Sequence, residues 1–464
     1  MKLKYSFLIS ILLTSFLSNA QDLTPTMVFP VDYLPIGTHK FDLMIKNVGA
    51  STVPYNGFKI GWSMDNGMIT EQPPAIPTYG IVSGGRERAA GNFTATFSTA
   101  GLHTLKVWTR TTSVTDVNTA NDTIIKIVKV LPYVPAKNVI LEVFKHQACC
   151  PCIDAVGYED TAVNPYGKYA VANIYTGPSD SLYNAEGDTL NDLYQLAHPN
   201  VFFDRFLFPY QTNLENDFFI LNNVYQLKNM KERDRYYEPL EVAVLQATFD
   251  SSTRLLKVKL KAKVYDTISK NYRFNLYVTE DSVKGYQGCY TPPNDYYHNH
   301  VVRKMIGGTW GSINSLPAIM YPSVDYFYEF TYTIPASYKL QHLTLIPLVQ
   351  QFDNDKMNSR IINSSKISFK NAIALSPSFV ASVDQQKIQI YPNPATDKLI
   401  IEMSESFKKT MYAEVINVAG KVVKQFIIKE QKQEVNIADL PPSTYTLKIN
   451  SVTNKNINYQ FIKN

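Results

Sequence analysis

The feature that most constrains this chain is a cluster of three cysteines directly after a short apolar stretch. Residues 139–144 read Val-Ile-Leu-Glu-Val-Phe, and Cys149, Cys150 and Cys152 follow closely. This order favours a buried strand that continues through Cys-Cys-Pro-Cys into a helix. Unpaired backbone N–H groups at a helix start stabilise a thiolate, so we expect the pKa of the Cys149 thiol to lie below that of a free thiol. Cys149 would then be the attacking sulfur and Cys152 the resolving one.

Length, charge and the N-terminus limit the class of protein. At 464 residues the chain is too long for a single hydrophobic core and predicts several domains. Residues 1–20 are typical of a secretory signal peptide, so we expect the mature chain to begin at Gln21. A formal net charge of +5 without a basic cluster argues against nucleic acid as a partner. No later segment is apolar enough to predict a transmembrane helix.

The segment 22–132 is predicted to be a β-sandwich. Apolar residues alternate with polar ones at Phe41, Leu43 and Ile45, which is the period of a half-buried strand. Turn sequences such as Lys-Asn-Val-Gly at 46–49 resemble those of small bacterial adhesion-related domains of the immunoglobulin-like type. The resemblance implies a spacer or a binding module.

Residues 137–238 alternate strand and helix patterns. The dithiol strand and helix are followed by the apolar run 169–175, a second helix pattern and Pro199. This order resembles a thioredoxin-like domain, in which a cis proline opens the strand that faces the dithiol. The resemblance implies a cis bond at Pro199, which lies 47 residues after Cys152, and a long closing helix at 214–236.

Over residues 137–370 the chain resembles one particular family. The segments 141–144 (Leu-Glu-Val-Phe), 297–303 (Tyr-His-Asn-His-Val-Val-Arg) and 307–311 (Gly-Gly-Thr-Trp-Gly) carry the likeness. They resemble the outer membrane protein 28 related family of Bacteroidota, a thioredoxin-like family of poorly defined function.

Three positions depart from the usual dithiol site of thioredoxin-like proteins. Ala148 replaces the aromatic residue before the nucleophile, Cys150 replaces the glycine inside the turn, and Val143 occupies the position of the buried carboxylate. Glu142 is expected on the other face of the strand. A proton would then reach the resolving sulfur through water or through His146.

Residues 239–370 return to strand patterns. The stretch 256–264 alternates apolar residues with lysines, which predicts a strand with one buried and one solvated face. The runs 274–279 and 343–348 fit a second antiparallel sandwich.

The C-terminal segment 387–464 follows a connector at 371–386 and carries the most specific motifs. It reads Tyr-Pro-Asn-Pro at 391–394 and Val-Ile-Asn-Val-Ala-Gly-Lys-Val at 415–422. These motifs closely resemble the type A sorting domain of the type IX secretion system. The resemblance implies recognition by that secretion machinery, passage across the outer membrane, and release or attachment at the cell surface.

The four cysteines leave several interpretations open. Cys149 and Cys152 fit reversible thiol–disulfide exchange, and they equally fit a permanent structural disulfide. The most economical account pairs Cys150 with Cys289 in a second disulfide, and its alternatives are a Cys152–Cys289 bridge or two idle thiols. His146 is well placed to influence Cys149, and the alternative is an exposed loop histidine without a role.

Two groups contain metal-ligand residue types, but neither predicts a metal. His298 and His300 share one face of a strand and are weak candidates for zinc, since such pairs are more often packed or hydrogen-bonded. The acidic loop with Asp180, Glu186 and Asp188 lacks the spacing of a calcium hand, so we expect a solvated loop. We expect neither a metal nor a cofactor.

The sequence therefore predicts a mainly β multidomain protein with one α/β domain. Its order is β-sandwich, thioredoxin-like domain, β-sandwich and a C-terminal β-sandwich sorting domain. We expect an exported cell-surface or secreted thiol–disulfide oxidoreductase that acts on a protein thiol or disulfide through Cys149 and Cys152, with Pro199 and His146 beside them. The alternative is a non-enzymatic surface binding or adhesion protein with a structural disulfide.

Overall fold

The fold comes from a computed structural model of the whole chain. The structure describes residues 21–464 except 31, 55, 75–79, 85–87, 113–115, 154–168, 209–232, 323, 376–387, 404–410, 418–420 and 451–455. The expected signal peptide thus lies outside the described residues. The chain divides into two compact units, Met1–Ser376 and Pro377–Asn464, each of which is described by itself.

The N-terminal part of the first unit is a β-sandwich. Its strands β1 to β8 are, in chain order, Leu23–Phe29, Tyr33–Pro35, Gly37–Asn47, Phe58–Met64, Thr70–Gln72, Arg88–Phe97, Gly101–Thr111 and Thr123–Leu131. They form the sheets β1-β3-β6 and β2-β8-β7-β4-β5. Phe41, Leu43 and Ile45 are buried in a core shared with Leu105 and Val107 of the facing sheet, as the alternation predicts.

The rest of the first unit contains fifteen strands and two α-helices among the described residues. In chain order they are β9 Ile140–Lys145, β10 Ala170–Tyr175, α1 Ala185–Tyr194, β11 Asn200–Phe203, β12 Leu240–Asp250, β13 Leu255–Val264, β14 Ile268–Ser269, β15 Tyr272–Glu280, β16 Val283–Gly285, β17 Tyr296–His298, β18 Val301–Met305, β19 Ile319–Met320, β20 Asp325–Thr333, β21 Leu343–Gln351, β22 Ile361–Ser364, β23 Ile367–Ser368 and α2 Phe369–Ala374. Three single-turn 3₁₀ helices lie at Pro293–Asp295, Leu340–His342 and Lys356–Asn358.

One eight-stranded mixed sheet organises this region, in the order β11-β9-β10-β18-β15-β21-β22 with β23 paired to β21. β9 and β10 run parallel, and β11 runs antiparallel to β9. Every residue of β9, β10 and β15 is buried, because both faces of the sheet are covered. The sheet continues across the boundary that we expected between residues 238 and 239, since Asn173 of β10 pairs with Val301 of β18.

The sheet β12-β13-β20 packs its apolar face against β15 and β21. Leu256, Val258 and Leu260 of β13 are buried in this core, while the intervening lysines face solvent or lie at its edge. The predicted lysine strand is therefore confirmed. The pairs β14-β19 and β16-β17 form short ribbons.

Helix α1 begins where Asn184 accepts a hydrogen bond from the Gly187 backbone N–H at 2.8 Å. A Cβ atom at Gly187 would lie 2.1 Å from Ile174 Cγ2, so this glycine lets the helix approach β10 closely. The helix after the dithiol is described at residues 152–153 only, and the helix expected at 214–236 falls almost wholly outside the described residues.

The second unit contains seven strands among its described residues. They are β24 Ile388–Tyr391, β25 Lys398–Met403, β26 Met411–Asn417, β27 Val422–Ile428, β28 Lys432–Asn436, β29 Ser443–Asn450 and β30 Asn456–Lys463. Two sheets, β24-β25-β28 and β27-β26-β29-β30, enclose a core that includes Leu399, Val415 and the stacked rings of Tyr445 and Phe461. Over the residues described in both units, no helix is long and apolar enough to cross a membrane.

Candidate functional site

The dithiol turn, residues 146–153, follows β9 and carries three of the four cysteines. The structure contains two disulfides, Cys149–Cys152 with Cα atoms 5.4 Å apart and Cys150–Cys289 with Cα atoms 5.1 Å apart. Cys149 is half-buried and Cys152 is 2% exposed, whereas Cys150 and Cys289 are exposed. The first pair therefore consists of one accessible residue and one protected residue.

Asp180 holds the inner side of the dithiol turn. Its carboxylate accepts hydrogen bonds from the backbone N–H of Gln147 at 2.7 Å and of Leu182 at 2.8 Å. Asp180 is 5% exposed, and burial raises the pKa of its carboxyl above the usual value even though these N–H groups and His146 act to lower it. Sequence patterns could not assign this role, because 33 residues separate Asp180 from Gln147.

His146 lies within the turn and is fixed by it. The Ala148 backbone N–H donates to His146 Nδ1 at 3.0 Å, so in the neutral ring the proton lies on Nε2. The rings of His146 and His198 have centroids 6.5 Å apart, and burial, followed by the proximity of His146, lowers the pKa of His198. The peptide bond between His198 and Pro199 is cis.

The Cys289 loop, residues 286–290, covers the other side of the turn. Gln287 is 2% exposed and donates to the Cys149 carbonyl at 2.9 Å, and the Gly288 N–H donates to the Gln147 carbonyl at 2.7 Å. Gln147 in turn donates to the Tyr286 carbonyl at 2.9 Å. The Cys150–Cys289 disulfide thus reinforces a contact that is already hydrogen-bonded, and the two glutamines were missed because nothing local in the sequence distinguishes them.

Glu142 lies on the face of β9 opposite Val143, as expected. Arg205 makes two hydrogen bonds of 2.7 Å to the Glu142 carboxylate, and the Tyr277 hydroxyl donates to it at 2.8 Å. All three side chains are fully buried or nearly so. Burial acts to lower the pKa of Arg205, but the Glu142 carboxylate more than offsets this and raises it. Glu142 is therefore committed to a buried ion pair, and Val143 lies in an apolar core.

His298 and His300 have separate partners. His298 is 1% exposed, with Nδ1 2.8 Å from the Tyr175 hydroxyl and Nε2 3.0 Å from the Tyr286 carbonyl oxygen. Burial lowers the pKa of His298 to about 4. His300 Nδ1 lies 3.1 Å from the Asp281 carboxylate. Within the described residues, neither histidine belongs to a group of three or more metal-ligand side chains.

The acidic loop is not the solvated loop that we expected. Asp180 and Asp188 are 5% and 9% exposed, and Asp188 accepts a hydrogen bond from the Gly177 N–H at 3.0 Å. Glu186 forms an ion pair with Lys304. The expectation was wrong for the two aspartates, because they hold backbone N–H groups that would otherwise be unpaired.

The fold and the C-terminal unit define a class of protein: an exported, mainly β protein that is secreted or attached at the outer-membrane surface. Residues 222–371 match the model of the outer membrane protein Omp28, and residues 389–464 match the model of the secretion system C-terminal sorting domain. Both family resemblances are confirmed, and the sorting domain implies recognition by the type IX secretion machinery. The Omp28 match begins at residue 222, so the dithiol turn lies outside it.

Solved structures show more distant likenesses. HBP35 of Porphyromonas gingivalis is 17% identical with a TM-score of 0.44, covering 71% of this chain and 98% of that chain. The CARDB domain of the PF1109 protein from Pyrococcus furiosus, solved in complex with di-metal ions, is 17% identical with a TM-score of 0.20, covering 24% and 90%. At these scores neither likeness carries an argument about function. No curated protein matches the chain.

Proposed function

We propose that this protein is a cell-surface thiol–disulfide exchange protein whose reactive pair is Cys149–Cys152 in a thioredoxin-like region. The observation that carries the proposal is the unequal burial of the pair, with Cys149 half-buried and Cys152 2% exposed. An accessible sulfur can meet a partner protein, while a protected sulfur can react only with its neighbour. This is the arrangement that exchange through a mixed disulfide needs.

The local backbone supports Cys149 as the reactive end. The Cys152 and Ile153 N–H groups bond to the carbonyls of Cys149 and Cys150 at 3.3 Å, so a helical turn begins within the dithiol. N–H groups at such a start favour a thiolate on the sulfur beside them. The Ala148 N–H occupies Nδ1 of His146, so the Nε2–H remains available to donate a hydrogen bond to a departing thiolate.

The exchange step balances without a cofactor. A thiolate of a partner protein attacks Cys149 Sγ, the Cys149–Cys152 bond breaks, and the bonding electrons stay on Cys152, which takes up a proton. A second thiolate of the partner then attacks the mixed disulfide and releases Cys149. The partner gains a disulfide and the dithiol gains two electrons, and the reverse sequence reduces a partner disulfide.

A second candidate function is a surface binding protein with a purely structural dithiol. The Cys289 loop favours it, because two hydrogen bonds of 2.7 and 2.9 Å from Gly288 and Gln287 and one disulfide pin the dithiol turn. A turn that is held by these contacts suits a purely structural disulfide as well as a reactive one.

Trapping experiments separate the two functions. We expect the purified mature protein to accelerate reduction of a model protein disulfide in a thiol buffer, and Cys149→Ser to reduce this rate to that of the buffer. Cys152→Ser is expected to accumulate a mixed disulfide at Cys149, identified by peptide mass spectrometry.

The matched control is the double variant Cys150→Ala/Cys289→Ala, which removes the neighbouring disulfide and keeps the proposed reactive pair. It is expected to retain exchange. Loss of exchange in this control with full exchange in Cys149→Ser would assign the chemistry to the other disulfide. No acceleration by the wild-type protein would favour the binding protein.

A further inference from the structure

A cluster of three carboxylates lies in the N-terminal sandwich, apart from the dithiol turn. Asp22 directly precedes β1, Asp116 lies in the β7–β8 connection, and Asp122 directly precedes β8. Each offers a carboxylate oxygen, and these three oxygens lie within 4.8 Å of one another. Asp22 is 6% exposed, so water provides little screening of its negative charge.

The cluster has unpaired buried oxygens. Asp122 Oδ1 is buried and, among the described residues, has no hydrogen-bond partner. The same holds for Oδ1 of Asn121, whose Nδ2 donates to Asp22 Oδ1 at 3.0 Å. A buried oxygen without a partner is costly, and one within the cluster of three carboxylates together with a second on the neighbouring Asn121 indicates a missing positive group.

Backbone hydrogen bonds hold Asp116 and Asp122 in place. Asp116 accepts hydrogen bonds from the N–H of Leu23 at 3.3 Å and of Asn118 at 2.9 Å. The Thr109 N–H donates to the Asp122 carbonyl at 3.0 Å, which ties the start of β8 to β7. Each carboxylate oxygen that accepts one N–H keeps a second lone pair, so these bonds leave ligand capacity free.

We propose that Asp22, Asp116 and Asp122 bind one calcium ion, with the Asn121 side-chain oxygen beside them. All of these atoms are hard oxygen ligands, which calcium prefers. Magnesium usually keeps several of its waters and is seldom held by protein oxygens alone, whereas calcium accepts a set of protein oxygens of this kind. Export to the cell surface exposes the site to extracellular calcium, for which modules typically have a Kd of about 10⁻⁴–10⁻³ M.

Calcium titration of the chelator-treated mature protein tests the site. We expect one ion per chain by calorimetry and a higher unfolding temperature in calcium, followed by the fluorescence of Trp62 and Trp108 within this sandwich. Asp116→Asn should weaken calcium binding by about tenfold or more. Asp122→Asn should raise the unfolding temperature without calcium, by removing repulsion, and should abolish most of the rise that calcium gives.

The matched control is Glu71→Gln, which removes a carboxylate of the same sandwich that pairs with Arg110. It should leave the response to calcium unchanged. The α-amino group created by cleavage before Gln21 is a competing cation. If it neutralises the cluster, calcium gives no shift and Asp122→Asn gives no stabilisation, and that pair of results overturns the proposal. A response to magnesium as strong as that to calcium overturns the choice of ion.

Discussion

Two disulfides meet at the dithiol turn, and they differ in loop length and in the exposure of their cysteines. Cys149–Cys152 joins residues 3 positions apart, whereas Cys150–Cys289 joins residues 139 positions apart. In the first disulfide Cys152 is buried, and in the second both cysteines are exposed. A short loop loses little entropy on closure, and a long loop loses much more. Exposure of both ends therefore does not mark a reactive disulfide: Cys150–Cys289 is exposed at both ends and has the larger structural role, whereas unequal burial distinguishes Cys149–Cys152.

The largest difference between the two disulfides should be in stability. From loop length alone, the Cys150→Ala/Cys289→Ala variant loses about 5 kcal/mol of unfolding free energy and Cys149→Ala/Cys152→Ala about 2 kcal/mol. Denaturant unfolding of both double variants measures this difference. Equal losses would mean that the long bridge has no greater structural role than the short one.

A variant of Glu142, which forms the buried ion pair with Arg205, tests whether this acid takes part in thiol–disulfide exchange. Glu142→Gln leaves the Arg205 guanidinium buried without its partner charge, which costs about 3–5 kcal/mol. Because Glu142 is already bound to Arg205 and Tyr277, the pH dependence of thiol–disulfide exchange should not change. A shifted pH profile in a variant that remains folded would make Glu142 part of the proton path.

Acid should weaken the packing of the Cys289 loop, because His298 contacts the Tyr286 carbonyl of that loop. The folded-state pKa of His298, about 4, lies below its ordinary value of 6.5, so folding favours the neutral ring. Its contribution to stability is complete above pH 6.5 and is lost as the pH falls through 4, and it is on the order of 3 kcal/mol. Unfolding free energies measured from pH 7 to pH 4 should show this loss, and His298→Gln should flatten the profile. An unchanged slope in that variant would assign the acid sensitivity to other groups.

The smallest effect concerns the contact between the turn and the Cys289 loop. A Cβ atom at Gly288 would lie 3.0 Å from the Ala148 carbonyl oxygen, so Gly288→Ala should separate the two segments slightly at a cost of about 1 kcal/mol. We expect Gly288→Ala to increase the rate at which Cys150–Cys289 is reduced. An unchanged rate would mean that the loop does not protect this disulfide.

The parts of the fold that depend on local periodicity could be predicted from the sequence. Phe41, Leu43 and Ile45, and the lysine strand at 255–264, are buried and exposed in the expected alternation. The mixed sheet could not be predicted, because the strands β9, β10 and β15 are buried on both faces and give no alternation. The pairing of Asn173 with Val301 joins segments that are distant in sequence.

The candidate site, like the fold, could be predicted only where its features are local in the sequence. The cysteine spacing and the strand before it identified the dithiol turn, since both are local. Asp180 was assigned to a solvated loop, and Gln287 and the carboxylate cluster at Asp22 were not singled out, because their roles depend on residues tens of positions away. His298 was considered as a metal ligand, and burial against Tyr175 gives it a different, structural role.

The measurement that tests the central claim most directly is a redox titration of the mature protein in graded thiol buffers. Each disulfide is identified by differential alkylation and peptide mass spectrometry. The account predicts that Cys149–Cys152 opens and closes between about −270 and −120 mV while Cys150–Cys289 stays closed. If Cys149–Cys152 resists reduction to below about −300 mV, or Cys150–Cys289 opens first, the exchange function is contradicted.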